Sequence, residues 1–437
     1  MSRTTTRRVF LGTTVPAVLA GRRVMAQAAT TAPGANDAIV FGLIGCGGQG
    51  KYVLGRFQKL PGVRVAGVCD VHRGRLAEAQ KQAGEKAKAY TDYRKLLEDK
   101  SIDAVIVATT GHWHVLPTID ACAAGKDVYV EKPLGTSIGE GRAAVKAARK
   151  YDRIVMIGTQ QHSWEHYRQA VEIIRSGLLG DISEVHVHDL ENQHPGIGAP
   201  ADCDPPAELD WDFWLGPAPK VPYNPNRFTH HYWFYDYGGA WQLDWAVHHY
   251  DIVHWAMGVE APIAAIGTGG HFAFPRDKDN RQWPDTFTGV CEYPPGPVAK
   301  QGFLMSYTFR AGCNQTIHGR THGKAFYGTN GVLVLDRGGF QIYSQTRDGK
   351  KVIEEKKVGG SKENHHEVFL ECLRSRKRPE ADVEVGHYAS NPGHLMNIAM
   401  RVGRRVRWDP KAEQFIDDPQ ANALVTKPYR APWVLPT

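Results

Sequence analysis

The stretch that decides the fold is Ala38-Ile39-Val40-Phe41-Gly42-Leu43-Ile44-Gly45-Cys46-Gly47-Gly48-Gln49-Gly50. Ala38–Ile44 is an apolar run of strand length, and helical periodicity at Tyr52, Val53, Leu54 and Phe57 follows the glycines. In that context GxGxxG has a mechanical meaning. Gly45 allows a tight turn, Gly47 lets the backbone approach a pyrophosphate, and Gly50 permits close helix–strand packing. Gly48 and Gln49 open the helix, whose unpaired N–H groups favour an anion. A second strand, Val63–Cys69, ends at Asp70, 20 residues past Gly50, where a carboxylate can accept the adenosine ribose hydroxyls. Together these predict a nicotinamide dinucleotide site. Asp70 favours NAD, because a carboxylate repels a 2′-phosphate, while Arg73 and Arg75 just beyond it keep NADP open.

The alternation continues with a helix near 73–84, a strand at Asp103–Ala108, a helix at Val115–Ala124, a strand at Asp127–Val130, a helix at 138–150 and a strand at Ile154–Gly158. This predicts an α/β fold whose first domain, 38–157, is a doubly wound parallel sheet with ligands outside the C-terminal strand ends. Two segments lie at such ends: Thr109-Thr110-Gly111-His112-Trp113-His114 and Glu131-Lys132-Pro133. Thr109, His112, His114, Glu131, Lys132 and Arg75 are therefore expected beside the cofactor. Over 158–437 the rhythm changes to successive strands at Ile182–His188, Ile263–Gly267, Phe287–Glu292, Gly302–Phe309, Lys324–Tyr327, Gly331–Leu335 and Phe340–Gln345. With helices near 165–177 and 244–257, this predicts a large, mostly antiparallel sheet. The run Gly386–Trp408, containing His394 and Asn397, reads as a helix closing on the core.

Glu131-Lys132-Pro133, the Gly45–Gly50 fingerprint and Gly238-Gly239-Ala240-Trp241-Gln242-Leu243-Asp244-Trp245-Ala246-Val247-His248 together resemble the Gfo/Idh/MocA oxidoreductases. The resemblance extends over nearly all of the chain beyond residue 28. It implies a lysine beside the nicotinamide and the reacting carbinol, Lys132, and an aspartate and acid/base histidine four apart, Asp244 and His248. Ala240 stands where the family often has a third glycine, and Val247 where a glycine often precedes the histidine. The chemistry agrees: oxidising a secondary alcohol requires a base with a pKa near neutrality at the hydroxyl and a charge to stabilise the alkoxide. The spacing of Asp244 and His248 places both on one face of a helix, where the carboxylate can orient the imidazole or contact substrate hydroxyls.

Six of the eleven tryptophans fall between Trp211 and Trp255, interleaved with tyrosines, and flat rings of this kind cover the apolar faces of a pyranose. Tyr235, Trp241, His162 and His249 join Lys132, Asp244 and His248 as expected substrate contacts. Gln160, Gln161 and His162 follow a strand end and are expected on the pocket wall, with Gln161 towards the cofactor. Nothing resembles HExxH, and the family's chemistry requires no metal, so none is expected. Seven scattered cysteines without CxxC supply neither a disulfide framework nor a zinc-thiolate site.

Residues 1–28 hold Arg3, Arg7, Arg8, Arg22 and Arg23 and no acidic residue. Thr6-Arg7-Arg8-Val9-Phe10-Leu11 resembles the twin-arginine export signal, with a short apolar stretch and a cleavage site at Ala26-Gln27-Ala28 after it. The apolar stretch is about a dozen residues, too short for the roughly 20 of a bilayer span. A signal at 1–28 and a linker at 29–37 are expected, with the enzyme in the periplasm or secreted and its cofactor tightly bound. Removing the five arginines takes the formal net charge from +7 to +2, which leaves no reason to expect a nucleic-acid or membrane partner. The expected partners are a small-molecule sugar, glycoside or cyclitol and further copies of the chain, as a dimer or tetramer through the C-terminal sheet. Two reactions compete: net oxidation of a sugar hydroxyl, and redox-neutral glycoside cleavage through a transient 3-keto sugar.

Overall fold

A computed structural model describes residues 38–436, so the expected export signal at 1–28 and linker at 29–37 lie outside the described residues. The first sheet has six parallel strands: β1 Ile39–Ile44, β2 Val63–Cys69, β3 Lys88–Tyr90, β4 Ala104–Val107, β5 Asp127–Val130 and β6 Val155–Ile157. Their order is β3-β2-β1-β4-β5-β6, with the reversal between β1 and β4. β4 and β5 are buried along their whole length, which explains their unbroken apolar runs: helices cover both faces of a parallel sheet. The sequence reading missed β3, whose Lys-Ala-Tyr is too short and too exposed to carry a pattern.

The second sheet contains β7 Ile182–Leu190, β8 Ala264–Gly270, β9 Thr286–Tyr293, β10 Phe303–Arg310, β11 His322–Gly328, β12 Gly331–Asp336 and β13 Gly339–Ser344. Strand Lys356–Gly359 extends one edge, and Val406–Asp409 with Gln414–Phe415 the other. Together they form ten strands in the order Lys356–Gly359, β13, β12, β11, β7, β10, β9, β8, Val406–Asp409, Gln414–Phe415. All pairings are antiparallel except β7 with β10. Along β10 Phe303, Met305, Tyr307 and Phe309 point into the core while Leu304 stays exposed, so the sheet has one covered and one open face.

Two expectations need correction. The C-terminal run is not one helix: Val383–Val402 ends at Gly403 in the left-handed region, and Trp408 belongs to the added edge strand. Asp244 and His248 do not share a helix either. Trp241–Asp244 is a short helix of its own, and Val247–Met257 starts after a break at Trp245–Ala246. The longer helix is buried on every side except at Trp255, so its polar side chains must find partners inside the protein. All seven cysteines are free.

Candidate active site

Two cavities open at the C-terminal ends of the parallel strands. The first, about 570 Å³, is lined by Gly45–Gln49, Asp70, Arg75, Thr109 and Phe228, among others. Gly45 sits at φ +93°, where a Cβ would lie 2.6 Å from the Ala108 carbonyl, and a Cβ on Gly50 would lie 1.9 Å from the Gly45 oxygen. Towards the cavity the backbone is open: nothing lies within 4 Å of a Cβ on Gly48, and only the Arg75 guanidinium reaches 4.0 Å from one on Gly47. Helix Gly48–Gln58 has no acidic residue in its first turn to compete for its N–H groups. The Asp70 carboxylate is fixed by two main-chain donors, Cys46 N–H to Oδ2 at 2.6 Å and His72 N–H to Oδ1 at 2.8 Å. Arg75 stacks on Phe228, 4.4 Å from its ring centre. This cradle fits the adenosine and pyrophosphate of a dinucleotide.

The second cavity, about 660 Å³, is lined by Glu131–Pro133, His114, Trp241, Asp244, Trp245 and His248, together with Gln160, Trp164, Arg337, Lys362 and His366. It shares Gln49, Thr109 and His231 with the first, so one wall serves both. Gln49 donates to Glu131 at 2.8 Å, linking the glycine turn to the Glu-Lys-Pro segment. His114 faces the Pro133 and Thr109 carbonyls at 2.7 and 3.2 Å and pins that segment.

Lys132 Nζ donates to the Asp244 main-chain oxygen at 2.7 Å and lies 5.7 Å from the centre of the Trp245 ring. Burial holds its pKa below the ordinary lysine value, against the opposing pull of Glu131 and Asp244. Burial pushes Asp244 up to about 6, although the Gly239 N–H donates to its Oδ2 at 2.7 Å and Lys132 also stabilises the charge. His248 is held well below the usual imidazole range, first by burial and then by Lys132 and Arg337, so the ring is neutral at physiological pH, a departure from the near-neutral pKa expected of the base. Its Nδ1 is buried without a partner. Asp244 makes no hydrogen bond to His248: the break at Trp245 separates them, and the carboxylate braces the Gly239 turn instead.

Other expected contacts fall outside both cavities. His162 Nε2 meets Asp251 Oδ1 at 2.8 Å and stacks on Trp255, 4.5 Å between ring centres. His249 meets Asp189 at 3.1 Å, and Gln161 accepts from the buried Lys324 at 3.2 Å. These groups pair because the helix and strands carrying them are buried on both sides. His112 faces the Trp214 carbonyl at 3.0 Å, and Tyr235 donates to the Gln282 carbonyl at 3.0 Å; both line a separate cavity of about 200 Å³. Within the aromatic stretch Tyr232, Trp241 and Trp245 line the second cavity, whereas Trp233 is fully buried. Among the described residues no group of His, Cys, Asp and Glu is placed to hold a metal ion.

Sequence reasoning missed Arg337, Lys362, Trp164 and His366, which carry no local pattern. It also left Asn397 without a role. Asn397 donates to the Gly239 carbonyl and accepts from Gln242, each at 3.0 Å, clamping the turn that presents Asp244. Ala240, in that turn, is at φ +56°.

A dinucleotide cradle joined to a cavity holding a lysine, a carboxylate and a neutral histidine defines a nicotinamide-dependent enzyme class. The sequence matches the Gfo/Idh/MocA oxidoreductase family, its NAD-binding Rossmann fold over residues 39–159 and its C-terminal alpha/beta domain over 168–265 and 304–435, and the chain belongs to that family. Inositol 2-dehydrogenase of Salmonella typhimurium is 33% identical over 147 residues, 33% of this chain and 44% of that protein. Alpha-N-acetylgalactosaminidase of Shewanella oneidensis is 28% identical over 168 residues, 36% of this chain and 37% of that protein. The chain thus spans less than half the length of these curated relatives. Aldose-aldose oxidoreductase of Caulobacter crescentus, solved with glycerol, shares the fold at a TM-score of 0.62 and 18% identity, covering 85% of this chain and 99% of that one.

Proposed function

We propose that the protein is an NAD(P)-dependent oxidoreductase acting on a secondary hydroxyl of a sugar, glycoside or cyclitol. The observation that carries this reading is the meeting of Lys132, Asp244 and a neutral His248 in a cavity that joins the dinucleotide cleft along Gln49, Thr109 and His231. A nicotinamide bound in the cleft supplies the two-electron acceptor. The protein's own residues handle the proton and the charge. His248 takes the hydroxyl proton on Nε2, the ring nitrogen that is not enclosed, and Lys132 stabilises the developing alkoxide. Asp244, held through Oδ2, presents Oδ1 to a neighbouring hydroxyl, and the Trp241 and Trp245 rings cover apolar sugar faces. Asp70, with both oxygens fixed, favours NAD over NADP.

A second reading, redox-neutral glycoside cleavage, is favoured by the similarity to alpha-N-acetylgalactosaminidase. Transient oxidation at C3 acidifies the C2 proton, the glycosidic group leaves, and water addition with re-reduction closes the cycle. Incubating purified protein with aryl glycosides and with paired sugars separates the two. Phenol release without added NAD supports cleavage, and oxidation of one sugar coupled to reduction of another supports the oxidoreductase. Neither activity across the panel overturns both.

The reading extends to the whole molecule. Residues 1–28 direct export of the folded, cofactor-loaded enzyme to the periplasm by the twin-arginine route, and 29–37 link them to a cofactor domain at 38–157 and a substrate domain at 158–437. The open sheet face, with Ile266 and Leu304 exposed, joins copies of the chain into a dimer or tetramer. Sedimentation of the purified protein tests this last element, and a monomer at micromolar concentration overturns it.

A further inference from the structure

The second cavity carries more positive charge than the proposed chemistry uses. Lys132 accounts for itself through the Asp244 carbonyl and the alkoxide. Arg337 and Lys362 do not. Both line the cavity, and among the described residues neither makes an ion pair with a carboxylate. The carboxylates that line the cavity, and Asp336 beside Arg337, are committed. Asp336, beside Arg337, pairs with Arg320, Glu131 accepts from Gln49, and Asp244 accepts from the Gly239 N–H. The Arg337 guanidinium lies over the Trp245 ring, 4.9 Å from its centre, and Lys132 approaches the same ring at 5.7 Å. The His248 ring is edge-on to Trp245 at 5.9 Å. Trp245 therefore has the reacting groups and a half-buried, unpaired arginine around one ring. A guanidinium without a carboxylate partner, close enough to a neutral histidine and a lysine to disfavour their protonation, is a costly arrangement unless a ligand brings the counter-charge.

A second feature points the same way. Trp241 lines this cavity, and its indole Nε1 is enclosed and makes no hydrogen bond within the protein. Buried donors without partners are rare in folded proteins and are satisfied by a ligand where one binds.

Resting on the proposed sugar chemistry, the geometry points to an anionic sugar as the substrate, one carrying a carboxylate or a phosphate that Arg337 grips as a fork and Lys362 neutralises from the rim. Arginine suits this role because its planar donors match two oxygens of such a group at once. The anion anchors the ring over Trp245, and the free hydroxyl beside it faces Lys132 and His248.

The test uses the full-length, cofactor-loaded protein. Glucose, glucuronate and glucose 6-phosphate are compared by calorimetric binding and by turnover, in the wild type and in Arg337→Gln and Lys362→Gln. The expected result is that one anionic sugar is preferred over glucose by roughly 10- to 100-fold, the range of one charge-assisted contact. Arg337→Gln should remove most of this preference, Lys362→Gln a smaller part, and added salt should weaken it. Which anion wins separates the carboxylate from the phosphate. Glucose bound as well as both anions, or a preference unchanged in Arg337→Gln, overturns the proposal. If no sugar is turned over, the oxidoreductase reading fails, and the calorimetric preference still decides the charge of the ligand. Lys362 is exposed, so its variant tests the charge even if Arg337→Gln fails to fold.

Discussion

The two cavities are built in opposite ways. The dinucleotide cleft has at its centre a run of backbone from adjacent positions, Gly45 to Gln49, where access depends on side chains being absent. The second cavity is made of side chains drawn from Lys132, Asp244, His248, Arg337 and Lys362, brought together only by the tertiary fold. A backbone site fails when atoms are added, and a side-chain site fails when they are removed. Substitutions on the two sides should therefore separate cofactor binding from turnover.

The largest expected effect is on the side-chain site. Lys132→Ala removes the charge proposed to face the alkoxide and should lower kcat about 1,000-fold, the scale of losing one pre-organised electrostatic partner. Nicotinamide dinucleotide should still be released on denaturation in equimolar amount. Loss of the cofactor together with turnover would break the separation. Next comes the backbone site. Gly50→Ala places a Cβ 1.9 Å from the Gly45 oxygen, so the turn must open or the helix must move away. The expected cost is about 3 kcal/mol, at the upper end for overpacking a tight site. It should be read as a dinucleotide affinity weakened by roughly 100-fold, converted at 1.4 kcal/mol per tenfold.

The same contrast explains what could be read without coordinates. The cleft was legible because its physics is local: a buried strand, three glycines with fixed duties and Asp70 at the next strand end all lie within 32 residues. Lys132 and the Asp244–His248 segment were legible through a resemblance rather than a period, and the helix assumed between the latter two is broken at Trp245. His162, His249 and Gln161 misled because buried elements also need polar pairs, and sequence does not distinguish a histidine that answers Asp251 or Asp189 from one that awaits a ligand. Arg337 was invisible, since its meaning depends on Asp336 being taken by Arg320 and on a ring 92 positions earlier in the chain.

A pH profile sharpens the role of each side chain in the cavity. With His248 neutral far below its ordinary pKa, the acid limb of kcat/KM should belong to Asp244, whose pKa is raised to about 6. Asp244 is ionised above that value and gains a proton as pH falls through it, so activity should drop about tenfold per unit below 6. Asp244→Asn should flatten that limb at a lower plateau. A limb unchanged in the variant would assign it elsewhere. The lowered pKa of Lys132 should bring on the alkaline limb earlier than an ordinary lysine would, because the ammonium is lost as pH rises.

The smallest effect tests how the backbone presents the side-chain site. Ala240 adopts φ +56° and ψ −164°, a region open to glycine and strained for any residue with a Cβ. The strain persists because its N–H donates to the Tyr232 carbonyl at 2.9 Å and Asn397 clamps the neighbouring Gly239. Ala240→Gly removes a strain of about 1–3 kcal/mol and adds about 0.5–1 kcal/mol of chain entropy to the unfolded state. The net expectation is a gain of about 1 kcal/mol, visible as a rise in Tm of a few degrees. Turnover should move the other way, by about two- to threefold, because the turn that presents Asp244 to the cavity is less fixed. A variant that is both less stable and equally active would show that the strained turn serves packing alone. A variant that is more stable and slower would show that the cavity, too, depends on backbone geometry at this one point.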